Sequence, residues 1–376
     1  MSAQKNPLEM LFHWAKEKPN QPYLFQSVNG QWRSYTWAEV ATQVRRMASA
    51  LKKLVPEPGS RIAITGRNTA HWFIADQAIA AAGHVSIGLY PKQATATVKF
   101  IMEHSECKAV FFGPMPDEAD FVAGLPAGVK KIAMPYPEVA TKCDHAWDDL
   151  IAQHEPLQDA EIRKPQDDDL LTLIYTSGTT GNPKGVMITY RNMTFTLEGL
   201  MKVLPPRGLE RFFSYLPLAH AFERGAVETA SLAFGAEVHF LENIEKLAEQ
   251  LPAVAPTRFF AVPLVYGRIQ AGVLRKLPQD KLDRINRIPI LRGFVRRKIL
   301  TGIGLQNARL CFSGAAPLPL PTMEWFKKNL GLEILQGYGM TENTIYASCN
   351  RPGANRIGSV GKEMPGANTR ISPEGE

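Results

Sequence analysis

The stretch "DDDLLTLIYTSGTTGNPKGV", residues 167–186, joins an apolar run to a tip of hydroxyl side chains and glycines. The run LLTLIYT at 170–176 predicts a buried strand, and the tip predicts a turn. In open α/β sheets ligands gather beyond the carboxyl ends of strands, so this turn is a candidate ligand loop. Gly178 and Gly181 allow close backbone approach, Thr176, Ser177, Thr179 and Thr180 offer hydroxyls, and Lys184 adds a mobile positive charge. Phosphate oxygens are suited by all three. Pro183 restricts the turn and biases Asn182 toward extended geometry, which directs Lys184. The Walker phosphate-loop pattern does not apply, because Gly185 follows Lys184 where Ser or Thr is required. By composition alone the same run also reads as a plain surface loop.

Strand and helix signals alternate on both sides of this stretch. RIAITG at 61–66 and KAVFFG at 108–113 predict short buried strands, and TAHWFIADQAIAAAG predicts an Ala-rich helix closed by Gly83. Further strands are expected at 211–216, in AEVHFL and in TRFFAV, with helices from about 222 to 234 and in NIEKLAEQL. The alternation implies an α/β fold of two doubly wound, mostly parallel sheets layered with helices. The Pro- and Asp-rich stretch 116–169 is the expected seam, giving one subdomain over 1–165 and a second over 166–350. The Gly- and Pro-rich residues 351–376 predict short antiparallel strands, the start of a small β-barrel-like subdomain.

At 376 residues the chain exceeds the usual single-core size of roughly 250 to 300. It contains no apolar run of about 18 residues and no secretory leader pattern, so a soluble cytoplasmic protein is expected. Cys107, Cys143, Cys311 and Cys349 lie far apart without a C-x-x-C pair, which predicts reduced thiols and no zinc site. The net charge of +7 is local: residues 265–300 carry ten basic and two acidic residues, and the rest carries 33 basic and 34 acidic. A general nucleic-acid role is therefore not expected. Apolar residues interleave with these charges, as in a basic amphipathic helix resting on an anionic membrane; a solvated helical face with a buried side is the alternative.

"YTSGTTGNPKGV" resembles the phosphate-loop signature of the adenylate-forming superfamily of acyl-CoA synthetases, peptide-synthetase adenylation domains and luciferases. YLPLAHAFER at 215–224, FSGAAPL at 312–318, QGYGMTEN at 336–343 and GSVGKEMPG at 358–366 follow in the family's order. LPLAHAFER and the basic stretch look most like the long-chain fatty acid branch. The resemblance implies attack of a carboxylate on the α-phosphate of ATP, then transfer of the acyl group to coenzyme A, with Mg2+ as the cation. By similarity, Thr176, Ser177, Gly178, Thr179, Thr180, Gly181 and Lys184 would grip the outer phosphates. Thr341 would touch the α-phosphate region, and Glu342, with Thr176, would hold the metal. Tyr338 would lie against the adenine, Gly314, Ala315 and Ala316 opposite it, with Gln336, Gly337, Gly339 and Met340 completing the nucleotide site.

Each motif taken singly has a plainer reading. QGYGMTEN is a Gly-bearing turn, His220 in its apolar stretch is a core residue, and Glu223 with Arg224 is a local ion pair. By resemblance His220 would stand at the mouth of an acyl pocket. The remaining histidines show no metal-ligand spacing. The family's Y-x-T-G-D motif and its small mobile C-terminal domain with a catalytic lysine are not found, so the chain looks like a large N-terminal portion. Three functions follow: a fatty acyl-CoA ligase; an ATP- or acyl-binding form without turnover; or an enzyme adenylating a medium-chain, aryl or amino acid. Peripheral contact with the inner membrane surface is expected from residues 265–300.

Overall fold

The computed structural model describes residues 5–177, 181–373 and 375. Gly178, Thr179 and Thr180 of the candidate loop lie outside the described residues. Apolar runs too short for helices form two sheets. The seven-stranded sheet runs, in order, His145–Ala146, Lys130–Ala133, Ala109–Phe112, Arg61–Thr65, Val85–Leu89, Leu170–Thr176 and Lys184–Thr189. Its neighbours are parallel except the last pair, an antiparallel hairpin.

The nine-stranded sheet runs Lys362–Glu363, Ser348–Cys349, Ile334–Tyr338, Leu310–Ser313, Arg258–Ala261, Arg211–Ser214, Glu237–Phe240, Pro22–Val28 and Gln31–Thr36. Its middle is parallel and both edges are antiparallel. Continuous burial of Val85–Leu89 and Arg258–Ala261 follows from helices covering both faces of a parallel sheet.

The largely apolar helix Ala70–Ala82 is buried at every position, its polar His71, Asp76 and Gln77 included. The Thr69 hydroxyl accepts from the Trp72 amide at 3.1 Å, and Gly83 ends the helix with φ +83°. Its residues share one core with strands of both sheets; Phe73 meets Phe240 of the nine-stranded sheet edge to face at 4.9 Å.

Sheet membership cuts across the expected division at 165. The loop-bearing strand Leu170–Thr176 belongs with the strands of residues 61–146, while Pro22–Val28 joins the later sheet beside Glu237–Phe240. Nor is 116–169 a simple seam, since Lys130–Ala133 and His145–Ala146 extend the seven-stranded sheet. Among the described residues no barrel closes near the C-terminus; Ser348–Cys349 and Lys362–Glu363 extend the nine-stranded sheet as an antiparallel edge. The basic stretch forms three helices, Pro263–Lys276, Gln279–Asn286 and Pro289–Gly302, interrupted near Pro278 and Pro289.

Candidate nucleotide and acyl site

The strands flanking the candidate phosphate loop, Leu170–Thr176 and Lys184–Thr189, form an antiparallel pair with Thr176 opposite Lys184. Gly181 takes φ +117°, a conformation open to glycine and strained for other residues. Thr176 is half-buried, whereas Ser177 and Lys184 are exposed. Tyr175 braces the base of the hairpin: a Cβ on Gly185 would come within 3.0 Å of its ring, and its hydroxyl shares a 2.8 Å hydrogen bond with His104.

The strand Lys184–Thr189 packs against the short turn Thr341–Asn343, so the lysine's strand and Glu342 come from neighbouring elements. Asn343 fixes this turn by accepting from the Met340 amide at 2.9 Å and the Tyr346 amide at 3.1 Å. Thr344 and Ile345 then follow with φ +55° and +58°, two successive left-handed residues. Such backbone costs of the order of 1–3 kcal/mol per residue and clusters at functional sites. Among the described residues, neither the Lys184 ammonium nor the Glu342 carboxylate has a hydrogen-bonding or ion-pair partner. Their unpaired opposite charges suit ligands that carry both phosphates and a cation.

The adenine candidates sit at strand ends of the other sheet. Leu310–Ser313 leads into Gly314, Ala315 and Ala316, and Ile334–Tyr338 ends at the half-exposed ring of Tyr338. Ser313 is in register with Gln336, which brings the two connections together. Gly314 is needed for packing, since a Cβ there would lie 3.2 Å from the Phe222 ring, and on Gly339 it would lie 2.3 Å from Ile345 backbone. Ala315 holds φ +67° and is exposed. Gln336 is buried within its strand and its carbonyl accepts from the Asn350 amide, so only its neighbours Tyr338 and Met340 present side chains to solvent.

Against these connections lies a cavity of about 100 Å³. It is lined by Thr196, Leu200, Leu204, Phe260, Phe312, Ile345, Tyr346 and Met364 together with His220, Gly314, Ala315 and Tyr338. Nothing in the sequence separates the apolar lining residues from ordinary core.

His220 is half-buried at the start of a helix that runs Ala221–Glu223, through a π-helical turn Arg224–Thr229, to Ala230–Phe234. Its Nδ1 accepts from the Phe222 amide at 3.1 Å. Burial lowers its pKa below the ordinary value. The neutral ring therefore carries its proton on Nε2.

The expected Glu223–Arg224 ion pair does not form. Glu223 turns to Ser214, whose hydroxyl donates to it at 2.7 Å, and its pKa is pushed up to about 8 by burial. Arg224 points the other way, to Asp76 at 2.5 Å, Glu228 at 3.5 Å and the Thr172 hydroxyl at 2.7 Å, all buried. Successive residues on a helix point about 100° apart, so adjacent charges serve different neighbours.

Residues 11–376 match the AMP-binding enzyme family. The chain belongs to that family. It is similar to long chain acyl-CoA synthetase 4 of Arabidopsis thaliana, 29% identical over 407 residues covering 96% of this chain and 60% of that protein. It is likewise similar to a long-chain-fatty-acid–CoA ligase of Mycobacterium bovis, 29% identical over 402 residues covering 99% and 66%. The chain thus spans 60% and 66% of the lengths of these relatives. Among solved structures, an anthranilate CoA ligase in complex with anthranoyl-AMP superposes with TM-score 0.81 at 21% identity, covering 100% of this chain and 68% of that one. A benzoate CoA ligase from Burkholderia xenovorans superposes with TM-score 0.76 at 24% identity, covering 96% and 66%. At these identities the structures establish the shared fold, two parallel-rich sheets with layered helices.

The residues fit an AMP-binding enzyme's ligands. Glu342, whose carboxylate has no partner among the described residues, is an oxygen donor for a hard cation that draws its other oxygens from hydroxyls, phosphates and water, while Lys184 can meet phosphate charge. Among the described residues no cluster of three or more His, Cys, Asp or Glu side chains forms an independent metal cage. No helix among them is long and apolar enough to cross a membrane.

Proposed function

We propose that this chain binds Mg-ATP and a long-chain fatty acid and joins them as an acyl adenylate, the first half of a fatty acyl-CoA synthetase reaction. The observation that carries this reading is the apolar cavity whose lining includes both His220 and the candidate adenine residues Gly314, Ala315 and Tyr338. Its mixture of apolar lining with a few polar groups matches the make-up of small-molecule sites. The synthetase names of the sequence relatives support the long-chain substrate.

In this reading the acid lies with its chain among Leu200, Phe260 and Met364 and its carboxylate at His220. His220 donates from Nε2 to one carboxylate oxygen and orients the other. That oxygen attacks the α-phosphorus, and the bond from α-phosphorus to the oxygen bridging to the β-phosphate breaks, releasing pyrophosphate. Lys184 and the hydroxyls of Thr176 and Ser177 hold the departing charge, an electrostatic role for donors fixed by a hairpin. Thr341 touches the α-phosphate, and Glu342 with Thr176 holds Mg2+, which supplies Lewis-acid charge neutralisation when bound. Transfer to coenzyme A follows when its thiolate attacks the acyl carbon and AMP leaves.

Calorimetric titration with Mg-ATP, paired with pyrophosphate release on adding palmitate and coenzyme A, tests the proposal. Fatty-acid-dependent pyrophosphate release is the expected result. Nucleotide binding without release would favour an ATP- and acyl-binding role for this chain. Release with benzoate in place of palmitate would assign an aryl acid.

A further inference from the structure

We infer that the helix Pro289–Gly302, with the basic residues around it, is a docking surface for the anionic face of a lipid bilayer. None of its fourteen residues is buried. Its inner side, Val295, Ile299 and Leu300, rests partly covered against the rest of the fold. The outer side is apolar where a surface helix should be polar. Ile290 is 88% exposed and Phe294 68%, one turn apart, with Leu291 at 40% and Ile288 at 53% beside them. Gly293 faces open space, so among the described residues the ridge is left uncovered beside it.

The charge around the ridge is of one sign. No acidic residue occurs between Asp283 and Glu324, while Arg284, Arg287, Arg292, Arg296, Arg297 and Lys298 fall within that interval. Asp280 engages Arg284 at 3.7 Å and Asp283 engages Lys328 at 3.0 Å. Among the described residues, no carboxylate lies within ion-pair distance of Arg287, Arg292, Arg297 or Lys298. Arg297 and Lys298 follow Phe294 by three and four residues, on the same outer side. A fringe of unpaired cations around bulky exposed apolar side chains is the pattern of an interfacial helix, whose apolar face enters the boundary between headgroups and acyl chains. The long basic side chains reach headgroup phosphates while Ile290 and Phe294 go deeper. Nucleic acid would satisfy the cations and leave the isoleucine and phenylalanine in water, so the observations favour lipid. The inference is independent of the reaction proposed above.

Flotation of the full chain with vesicles of phosphatidylcholine, with and without phosphatidylglycerol, tests it. Binding is expected to require the anionic lipid and to weaken with salt. The triple substitution R292Q, R297Q and K298Q should weaken partition by about fivefold per charge removed. Ile290→Ser with Phe294→Ser should abolish the part of binding that survives high salt. Thermal midpoints serve as the folding control. Phe294→Trp, which keeps an aromatic ring at an exposed position, should show blue-shifted emission on anionic vesicles alone. Flotation indifferent to lipid charge, flotation unaltered in the triple variant, or emission of the Phe294→Trp variant unchanged by vesicles would each overturn the inference. So would capture of an oligonucleotide without capture of vesicles.

Discussion

Thr176 and Lys184 are opposed across the antiparallel pair that flanks the glycine-rich loop, so the lysine's position is set by strand register. A ligand phosphate there meets a charge whose backbone is already fixed. Lys184→Ala should weaken Mg-ATP binding by roughly tenfold to a hundredfold, the range for a lost charge-assisted hydrogen bond. AMP, which lacks the outer phosphates, should bind with much less change. Calorimetry with both nucleotides decides it, and equal losses would move Lys184 away from the outer phosphates.

Glu342 stands on a turn packed against the lysine's strand, and its carboxylate is unpaired among the described residues. Glu342→Gln keeps the shape and removes the charge. ATP affinity should fall and its dependence on Mg2+ concentration should flatten. An unaltered Mg2+ titration would take Glu342 out of the metal site.

Tyr346 forms part of the cavity wall because Gly199 lets it in. A Cβ on Gly199 would fall 1.5 Å from the Tyr346 hydroxyl, which donates to the Pro365 carbonyl at 2.8 Å. Gly199→Ala should therefore push Tyr346 aside, cost about 1–3 kcal/mol of stability through overpacking, and weaken fatty acid binding more than ATP binding. Denaturant unfolding and paired ligand titrations measure both effects.

Arg224 pairs with buried Asp76, while burial raises the pKa of nearby Glu228 well above the ordinary carboxylate range. Arg224→Ala would leave Asp76 without its cation, and removal of one partner from such a pair costs about 3–5 kcal/mol. The midpoint of urea unfolding should fall accordingly. A neutral result would show that water or rearrangement replaces the guanidinium.

Burial pushes the Glu223 carboxyl up to about 8 from an ordinary value near 4.5. The folded state then holds a proton that the unfolded state has released, so this residue's contribution is fully present below about pH 4.5 and is lost as pH rises toward 8. Half-buried His220 has the opposite sense: its lowered pKa makes stability fall as pH drops below the ordinary histidine range. The difference between wild type and Glu223→Gln isolates the carboxyl. The variant should gain stability relative to wild type, by a few kcal/mol, between pH 5 and about 8. A pH-independent difference would show that Glu223 ionises normally.

Local features were legible where one short segment carried the whole signal. Arg61–Thr65, Ala70–Ala82 with its Gly83 cap, and Leu170–Thr176 are readable because apolar runs end at glycine or at hydroxyl-rich turns. Features made by distant segments were not. The contact of Arg224 with Asp76 joins residues far apart in the chain, and next to Glu223 the local pairing looked simpler. The cavity was hidden because Leu200, Phe260 and Phe312 have the composition of any core, and only their juxtaposition leaves a space. Of the candidate nucleotide site, the loop, His220, Tyr338 and Glu342 stood out by motif, whereas the left-handed pair Thr344 and Ile345 carries no residue type that announces it.

The strand Pro22–Val28 pairs in parallel with Glu237–Phe240, Leu24 opposite Val238. On the ribosome the earlier strand must therefore wait through most of the synthesis of this chain before its partner emerges, with Tyr23 and Leu24 still lacking the sheet that will bury them. Its native antiparallel neighbour Gln31–Thr36 is at hand at once, so the outer side of this strand can pair long before its inner side does.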